Sequence, residues 1–282
     1  MTGDIQAIKD DESRFQWRGF PWWLVAIISF LVLMLILILT NEDYRRAFNF
    51  IRGGFGSPQG LGTGGLESLI GTGITVTIYT TLVAFGIALF IGLFAGLGRI
   101  SKNVAISNIA ITYIEFIRGV PTLVLIFTVA FVIVPAVAEL LGIPGQRISN
   151  NSRGIIALAV IYGAFLAEVF RAGIESVPHG QMEAARSLGL SGRQAMRHVI
   201  LPQGIRNVLP ALGNDFIAML KDSSLVSVLA VRDLTQQARL YAGSTFRFRE
   251  SYLVLTFLYL SMTIALSLLL RWYEKRLKQD AK

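Results

Sequence analysis

Cysteine is missing altogether from the 282 residues, so no disulfide framework, Cys-based metal site or catalytic thiol can be built here. Histidine is nearly as scarce. Only His179 and His198 occur, both in one predicted loop and too few for a His-only metal site. Charge is thin as well: Asp, Glu, Lys and Arg make up 16% of the chain, against roughly 25% in a soluble domain. What is plentiful is apolar. A hydrophobic share of 53% and a mean hydropathy of +0.58 point to lipid as the solvent for much of the chain. The formal net charge of +8 would raise the question of nucleic acid in a soluble protein. Here the basic residues sit between long apolar runs rather than in one stripe, so no nucleic-acid partner is expected.

A membrane helix needs about 20 mostly apolar residues to cross a hydrocarbon core of roughly 30 Å. Four long charge-free runs meet that requirement: Trp22 to Leu39, Gly71 to Gly98, Gly119 to Ala138 and Ser251 to Leu270. Trp17, Trp22, Trp23, Trp272 and Tyr273 flank them as interfacial aromatics. Two further runs carry charge, Gly154 to Ile174 with Glu168 and Arg171, and Asn207 to Ala230 with Asp215, Lys221 and Asp222. The fold class expected is therefore an all-α polytopic membrane protein with six transmembrane helices. No small-residue cleavage site follows the first run, which reads as a retained span rather than a secretory signal.

An even number of spans places both termini on one side. That side and its loops hold 16 lysines and arginines against 9 on the other, which favours cytoplasmic termini by the positive-inside rule. Between the first two spans lies a Gly-rich stretch, Gly53, Gly54, Gly56, Gly60, Gly62, Gly64 and Gly65 with Pro58, expected as an exposed connector. It is no phosphate-binding loop, because no Gly-Lys-Ser/Thr ending follows. Gly92 and Gly96 have GxxxG spacing, which permits close helix approach.

The segment from Glu175 to Arg206 on the side of the termini is the most informative. Pro178 and Gly180 break the preceding helix, and Gln181 to Leu188 are expected to form a short helix ended by Gly189, glycine being favoured at a left-handed helix end. Ser191 can cap a second helix, Gly192 to Ile200, which Pro202 is expected to end. Glu183, Ala184, Ala185 and Gly189, followed by Leu201 and Pro202, resemble the EAA loop of permease subunits of binding-protein-dependent ABC importers. One departure is Val199, where the family pattern has Ile. The segments Glu115 to Pro121 (EFIRGVP), Ala167 to Val177 (AEVFRAGIESV) and Asn214 to Val228 (NDFIAMLKDSSLVSV) resemble the polar-amino-acid branch of that family, the histidine, glutamine, arginine and glutamate type. The resemblance covers roughly residues 66 to 275.

That resemblance implies a five-helix type I permease core over residues 66–282, with a cytoplasmic coupling loop near 175–206 that docks on a cytoplasmic ATP-binding subunit. Residues 1–65 would then be an N-terminal segment, an accessory helix and the Gly-rich periplasmic connector. It implies a bacterial inner membrane location, a second permease subunit, identical or paralogous, a periplasmic substrate-binding protein and an amino-acid substrate. ATP and magnesium would sit on the partner ATPase, with no cofactor on this chain, which would be a transport subunit and not an enzyme. Ala184 and Ala185 are small enough to let a helix lie in a groove, and Glu183 can pair with a basic residue there or favour its own helix N-terminus.

An ionisable group in hydrocarbon costs on the order of 3 kcal/mol and must face a cavity, a partner or the bundle interior. Asp215 and Asp222, seven apart, share a helix face, whereas Lys221 points elsewhere unless the helix breaks. Ser223 and Ser224 can satisfy backbone groups freed by a break, so a discontinuity is expected near Lys221 to Ser224. Asp215, Lys221, Asp222, Ser223 and Ser224 are the candidate pathway residues, able to supply an acceptor for a substrate ammonium and a donor for its carboxylate. The structural alternative is that Lys221 and Asp222 pair with each other or with neighbouring helices. Glu168 and Arg171 are expected to form a local pair, and Glu115 and Arg118 have the same spacing, with a helix restart expected at Gly119 to Pro121. A secondary transporter or channel for small polar solutes is the alternative function, but such folds carry internal repeats and none is evident. A membrane-embedded enzyme would need a clustered acid/base or metal constellation, and only scattered carboxylates are present.

Overall fold

The computed structural model describes residues 22–53, 72–144 and 147–279, and they are helical with short connections. In chain order the helices are α1 (Trp22–Thr40), α2 (Glu42–Arg52), α3 (Ile74–Arg99), α4 (Val104–Gly119), α5 (Thr122–Leu140), α6 (Asn150–Glu175), α7 (His179–Ser187), α8 (Leu201–Asp222), α9 (Leu234–Thr245) and α10 (Phe248–Gln279). Four of them, α3, α5, α6 and α10, are long and apolar enough to cross a membrane. α1 joins them as the first limb of a bent pair with α2, the two lying at 103°. The sixth expected span, Asn207 to Ala230, is not one apolar helix. It is the charged second half of α8 followed by a 3-10 turn, Ser223–Leu229. The Gly-rich connector from Gly54 onward lies outside the described residues.

Side chains collect in two apolar cores. The larger one is built by α3, α5, α6 and α8 around Ala84, Ala88, Ile126, Leu158, Ile161, Leu166 and Met219. The second lies between α1, α2, α9 and α10 around Met34, Ile51, Leu234, Tyr241 and Val254. α1 therefore does not meet lipid on every side. Met34 and Ile38 are buried, while Ile28, Val32, Leu33, Ile36 and Leu39 stay exposed. α2 was not expected from the sequence. Asn41 caps it by accepting from the Asp43 N–H at 2.9 Å, and Tyr44, Ala47 and Ile51 form its buried stripe at helical spacing.

α3 and α6 form the closest seam. A Cβ at Gly92 would stand 2.6 Å from Leu166 Cβ, and one at Gly96 would stand 2.7 Å from the Ala167 carbonyl oxygen. The GxxxG pair thus serves a contact within one chain, where small residues let two backbones meet. α4, a helix that no long apolar run announces although Glu115 and Arg118 have helical spacing, is held against this pair. The Tyr113 hydroxyl on α4 donates to the Val160 carbonyl of α6 at 2.6 Å. α4 ends at Gly119, and Pro121 immediately precedes α5, so the helix restart falls where the sequence places it. Inside α5 a π-turn, Val129–Ile133, loosens the hydrogen-bond ladder. The Arg153 Nη1 on α6 donates to the Ala130 carbonyl there at 3.3 Å.

Candidate substrate pathway and coupling surface

α7 begins two residues earlier than expected and ends where Gly189 takes a left-handed φ of +86°. The Leu190 N–H reaches the Ala185 carbonyl at 3.2 Å and the Gly189 N–H reaches the Arg186 carbonyl at 3.0 Å, the two bonds of a Schellman ending. Ser191 then caps the next helix. Its hydroxyl accepts from the Gln194 N–H at 3.3 Å, and the Gln194 Oε1 accepts from the Ser191 N–H at 2.9 Å, a reciprocal capping box. One sequence expectation fails here. Pro202 does not end this helix, because the chain runs from Gly192 through a π-turn, Met196–Ile200, directly into α8. A π-turn widens the coil just where proline lacks an N–H and crowds the preceding turn, so the helix absorbs Pro202 instead of breaking. The Gln203 side chain donates to the Val199 carbonyl at 3.0 Å.

The loop is anchored by a small apolar cluster of Ile174, Val177 and Ile200, with Leu97, Met182 and Leu201 packed on it. The motif residues divide around this anchor. Ala185 is buried within the chain at 4% exposure, whereas Glu183, Ala184 and Gly189 are exposed. Leu188 is exposed at the tip. The surface available to a partner therefore carries Glu183, Ala184, Leu188 and Gly189, and Ala185 packs the helix down.

Above the loop, charges pair across helices. Glu168 on α6 bonds Arg171 at 3.0 Å, as its spacing suggests, and Arg171 continues to Glu175 at 2.5 Å. Glu168 also pairs with Arg99 of α3, which lies 3.5 Å from Glu115 of α4. Glu115 thus bonds across helices rather than to Arg118, which makes no ion pair among the described residues.

Farther along α8 the expected discontinuity is present. The α-helix stops at Asp222, the 3-10 turn follows, and Ala230 closes it in a left-handed conformation with φ 57°. Ser223 is 1% exposed, and its hydroxyl donates to the Leu220 carbonyl at 2.7 Å, satisfying a group the break releases. The five candidate pathway residues do not converge on one point. Asp222 accepts from the Tyr162 hydroxyl of α6 at 2.9 Å, and Asp215 lies close enough to act electrostatically on the same hydroxyl. Lys221 and Ser224 face the other way, into a groove beside α10. Lys221 and Asp222 do not pair. Asp215 makes no hydrogen bond or ion pair among the described residues. Tyr162, thirteenth of the 26 residues of α6, is the member sequence reasoning missed. A lone phenol in an apolar helix opposite two carboxylates was the available signal, since a buried hydroxyl needs a partner.

Residues 88–279 match the family of binding-protein-dependent transport system inner membrane components. The chain belongs to that family. It is similar to the probable glutamine ABC transporter permease protein GlnM of Bacillus subtilis (strain 168), 38% identical over 206 residues, or 72% of this chain and 91% of the relative. It is likewise similar to the glutamine transport system permease protein GlnP of Escherichia coli (strain K12), 34% identical over 206 residues, 73% and 91% of the two chains. Among solved structures it is similar to an amino acid ABC transporter crystallised with histidines, at TM-score 0.65 and 42% identity over 72% of this chain and 92% of that one. The MetNI methionine ABC transporter in an inward-facing conformation shares the fold, at TM-score 0.56 and 20% identity over 71% and 93%. The chain is accordingly a membrane-spanning permease subunit, a transport component rather than an enzyme, of a type I importer class that works with an ATPase and a binding protein.

Proposed function

We propose that this permease carries amino acids inward across the bacterial cytoplasmic membrane, forming half of a pathway completed by a second permease, identical or paralogous. A periplasmic binding protein delivers the substrate. Cytoplasmic ATPase subunits, which hold the ATP and magnesium, drive the change between outward and inward openings, and this chain holds no cofactor. The observation that carries the reading is the coupling loop. A Schellman ending and a capping box fix two short helices, leaving Glu183, Ala184, Leu188 and Gly189 outward for a partner groove while Leu201 and Pro202 lead straight into the charged helix. Movement of that loop reaches Asp215, Asp222 and Tyr162 along one helical path that includes the Met196–Ile200 π-turn and Pro210.

Such a loop belongs in the cytoplasm, which puts both termini there, in agreement with the lysine and arginine bias. Residues 1–65 are read as accessory, since α1 and α2 pack on α9 and α10 and contribute nothing to the larger core. The test is reconstitution: the purified permease with its ATPase in vesicles should take up amino acids only with ATP and binding protein present. Uptake that proceeds without any ATPase would make the chain a secondary transporter or channel and overturn the reading.

A further inference from the structure

α2 lies outside residues 88–279, the stretch that matches the family. It carries three arginines, Arg45, Arg46 and Arg52, and two carboxylates, Glu42 and Asp43. Both carboxylates are already taken. Glu42 pairs with Arg46 at 2.5 Å, and Asp43 pairs with Arg247, just before α10. Arg45 and Arg52 are left without an ion pair among the described residues. Seven apart, they share one flank of the helix, about 10 Å from each other along its axis. Asn49 stands between them, and all three are exposed.

The depth of this row follows from α1. Its 19 residues rise roughly 28 Å, close to the thickness of the hydrocarbon core. After the single residue Asn41 the chain turns into α2 at 103°, so α2 runs along the membrane surface at the level of the headgroups. An amphipathic helix there ordinarily sinks its apolar face among the acyl chains. α2 does not. Tyr44, Ala47 and Ile51 are buried in the core shared with α9 and α10, and the Phe50 ring lies 5.3 Å from that of Tyr241. Protein packing therefore fixes the helix and presents the row. The row is also remote from the coupling loop. A Cβ at Gly53 would stand 2.4 Å from the Thr72 carbonyl oxygen, which places the end of α2 beside the start of α3. Leu97, near the far end of α3, packs on the coupling loop.

We infer that Arg45, Asn49 and Arg52 bind the phosphates of anionic phospholipid headgroups, tying the accessory helices to the lipid surface. A guanidinium matches a phosphate through two parallel hydrogen bonds, and the Asn49 amide adds a donor. Each arginine held near an anionic surface strengthens attachment about fivefold. An acidic protein surface would match the charge but not the depth, because a helix lying flat on the membrane meets headgroup phosphates first.

The test is native mass spectrometry of the full-length permease in detergent, titrated with dioleoylphosphatidylglycerol or dioleoylphosphatidylcholine. Wild type should retain phosphatidylglycerol in preference to phosphatidylcholine. The double variant Arg45→Gln/Arg52→Gln should bind phosphatidylglycerol about tenfold more weakly or worse and lose the preference. Arg45→Lys/Arg52→Lys keeps the charge and should keep the preference, which guards against a folding defect in the glutamine variant. Arg249→Gln is the control for diffuse attraction. Arg249 lies beyond the row, is 76% exposed and pairs only with Glu250, so its loss should leave lipid retention unchanged. Equal retention of phosphatidylglycerol by wild type and the double glutamine variant overturns the inference. So does a lysine variant that loses the preference as fully as the glutamine one, or a loss in Arg249→Gln as large as that in the double variant. A double glutamine variant that keeps phosphatidylglycerol and loses affinity for the binding protein also overturns it, and gives the row to an acidic protein surface instead.

Discussion

The Tyr162 hydroxyl and the Asp222 carboxylate, 60 residues apart in sequence and 2.9 Å apart in space, join the middle of α6 to the last turn of α8. Tyr162→Phe removes the donor and leaves the half-buried Asp222 carboxylate short of a partner, at a cost of about 1 kcal/mol. The expected outcome is a lower melting temperature of the purified complex together with slower uptake. An unchanged melting temperature would show that water replaces the phenol without loss.

Asp215 shares the neighbourhood of Tyr162 without a bond of its own, so its charge is free to meet water or substrate. Asp215→Asn preserves size and removes that charge. Uptake per ATP hydrolysed in reconstituted vesicles should fall, because the substrate contact is lost while the helix packing is kept. If uptake and hydrolysis fall together, Asp215 is a structural residue; if neither changes, it stands outside the pathway.

At Gly189 a Cβ would meet nothing within 4 Å, yet φ is +86°. Space is free and the backbone is not. Gly189→Val should therefore strain the Schellman ending by about 1 to 2 kcal/mol and displace the tip of the coupling loop. Ala184→Leu leaves the fold alone and enlarges the exposed face, so it should weaken ATPase association in co-purification. Ala185→Leu, being internal, should lower thermal stability first.

Asp233 responds to pH. It is 2% exposed, it caps α9 by accepting from the Gln236 N–H at 2.9 Å through Oδ1, and its Oδ2 has no hydrogen-bond partner. Burial, partly offset by backbone hydrogen bonds, pushes its pKa from 3.8 up to about 7. Between those values the folded chain holds a proton that the unfolded chain has released. Stability from this group is thus greatest at acid pH and declines as pH rises through that window. Melting temperatures taken from pH 5 to 8 should fall in wild type and flatten in Asp233→Asn; a wild-type decline that survives in the variant would assign it to another group.

Much of this architecture was legible because its signals are local. Long charge-free runs gave α1, α3, α5 and α10, Gly189 and Ser191 marked the turn of the coupling loop, and the run from Lys221 to Ser224 marked the break. What escaped depends on neighbours. α2 hides its buried stripe of Tyr44, Ala47 and Ile51 among five charged residues, and the stripe has meaning only against α9 and α10. Pro202 reads as a stop unless a π-turn precedes it, and that turn is a tertiary accommodation. The split of Lys221 from Asp215 and Asp222 follows from helical spacing, whereas the placing of Ser224 depends on the change of pitch after Asp222.

The absence of side chains at Gly92 and Gly96 has a mechanical corollary. Two helices touching backbone to backbone cannot slide without collision, so α3 and α6 act as a single stiff beam through the membrane. α1, α2, α9 and α10 pack as a separate block around their own core. The 3-10 turn Ser223–Leu229 carries the chain from α8 into that block, so stiffening that one strip should slow the transport cycle while leaving the α3–α6 seam in place.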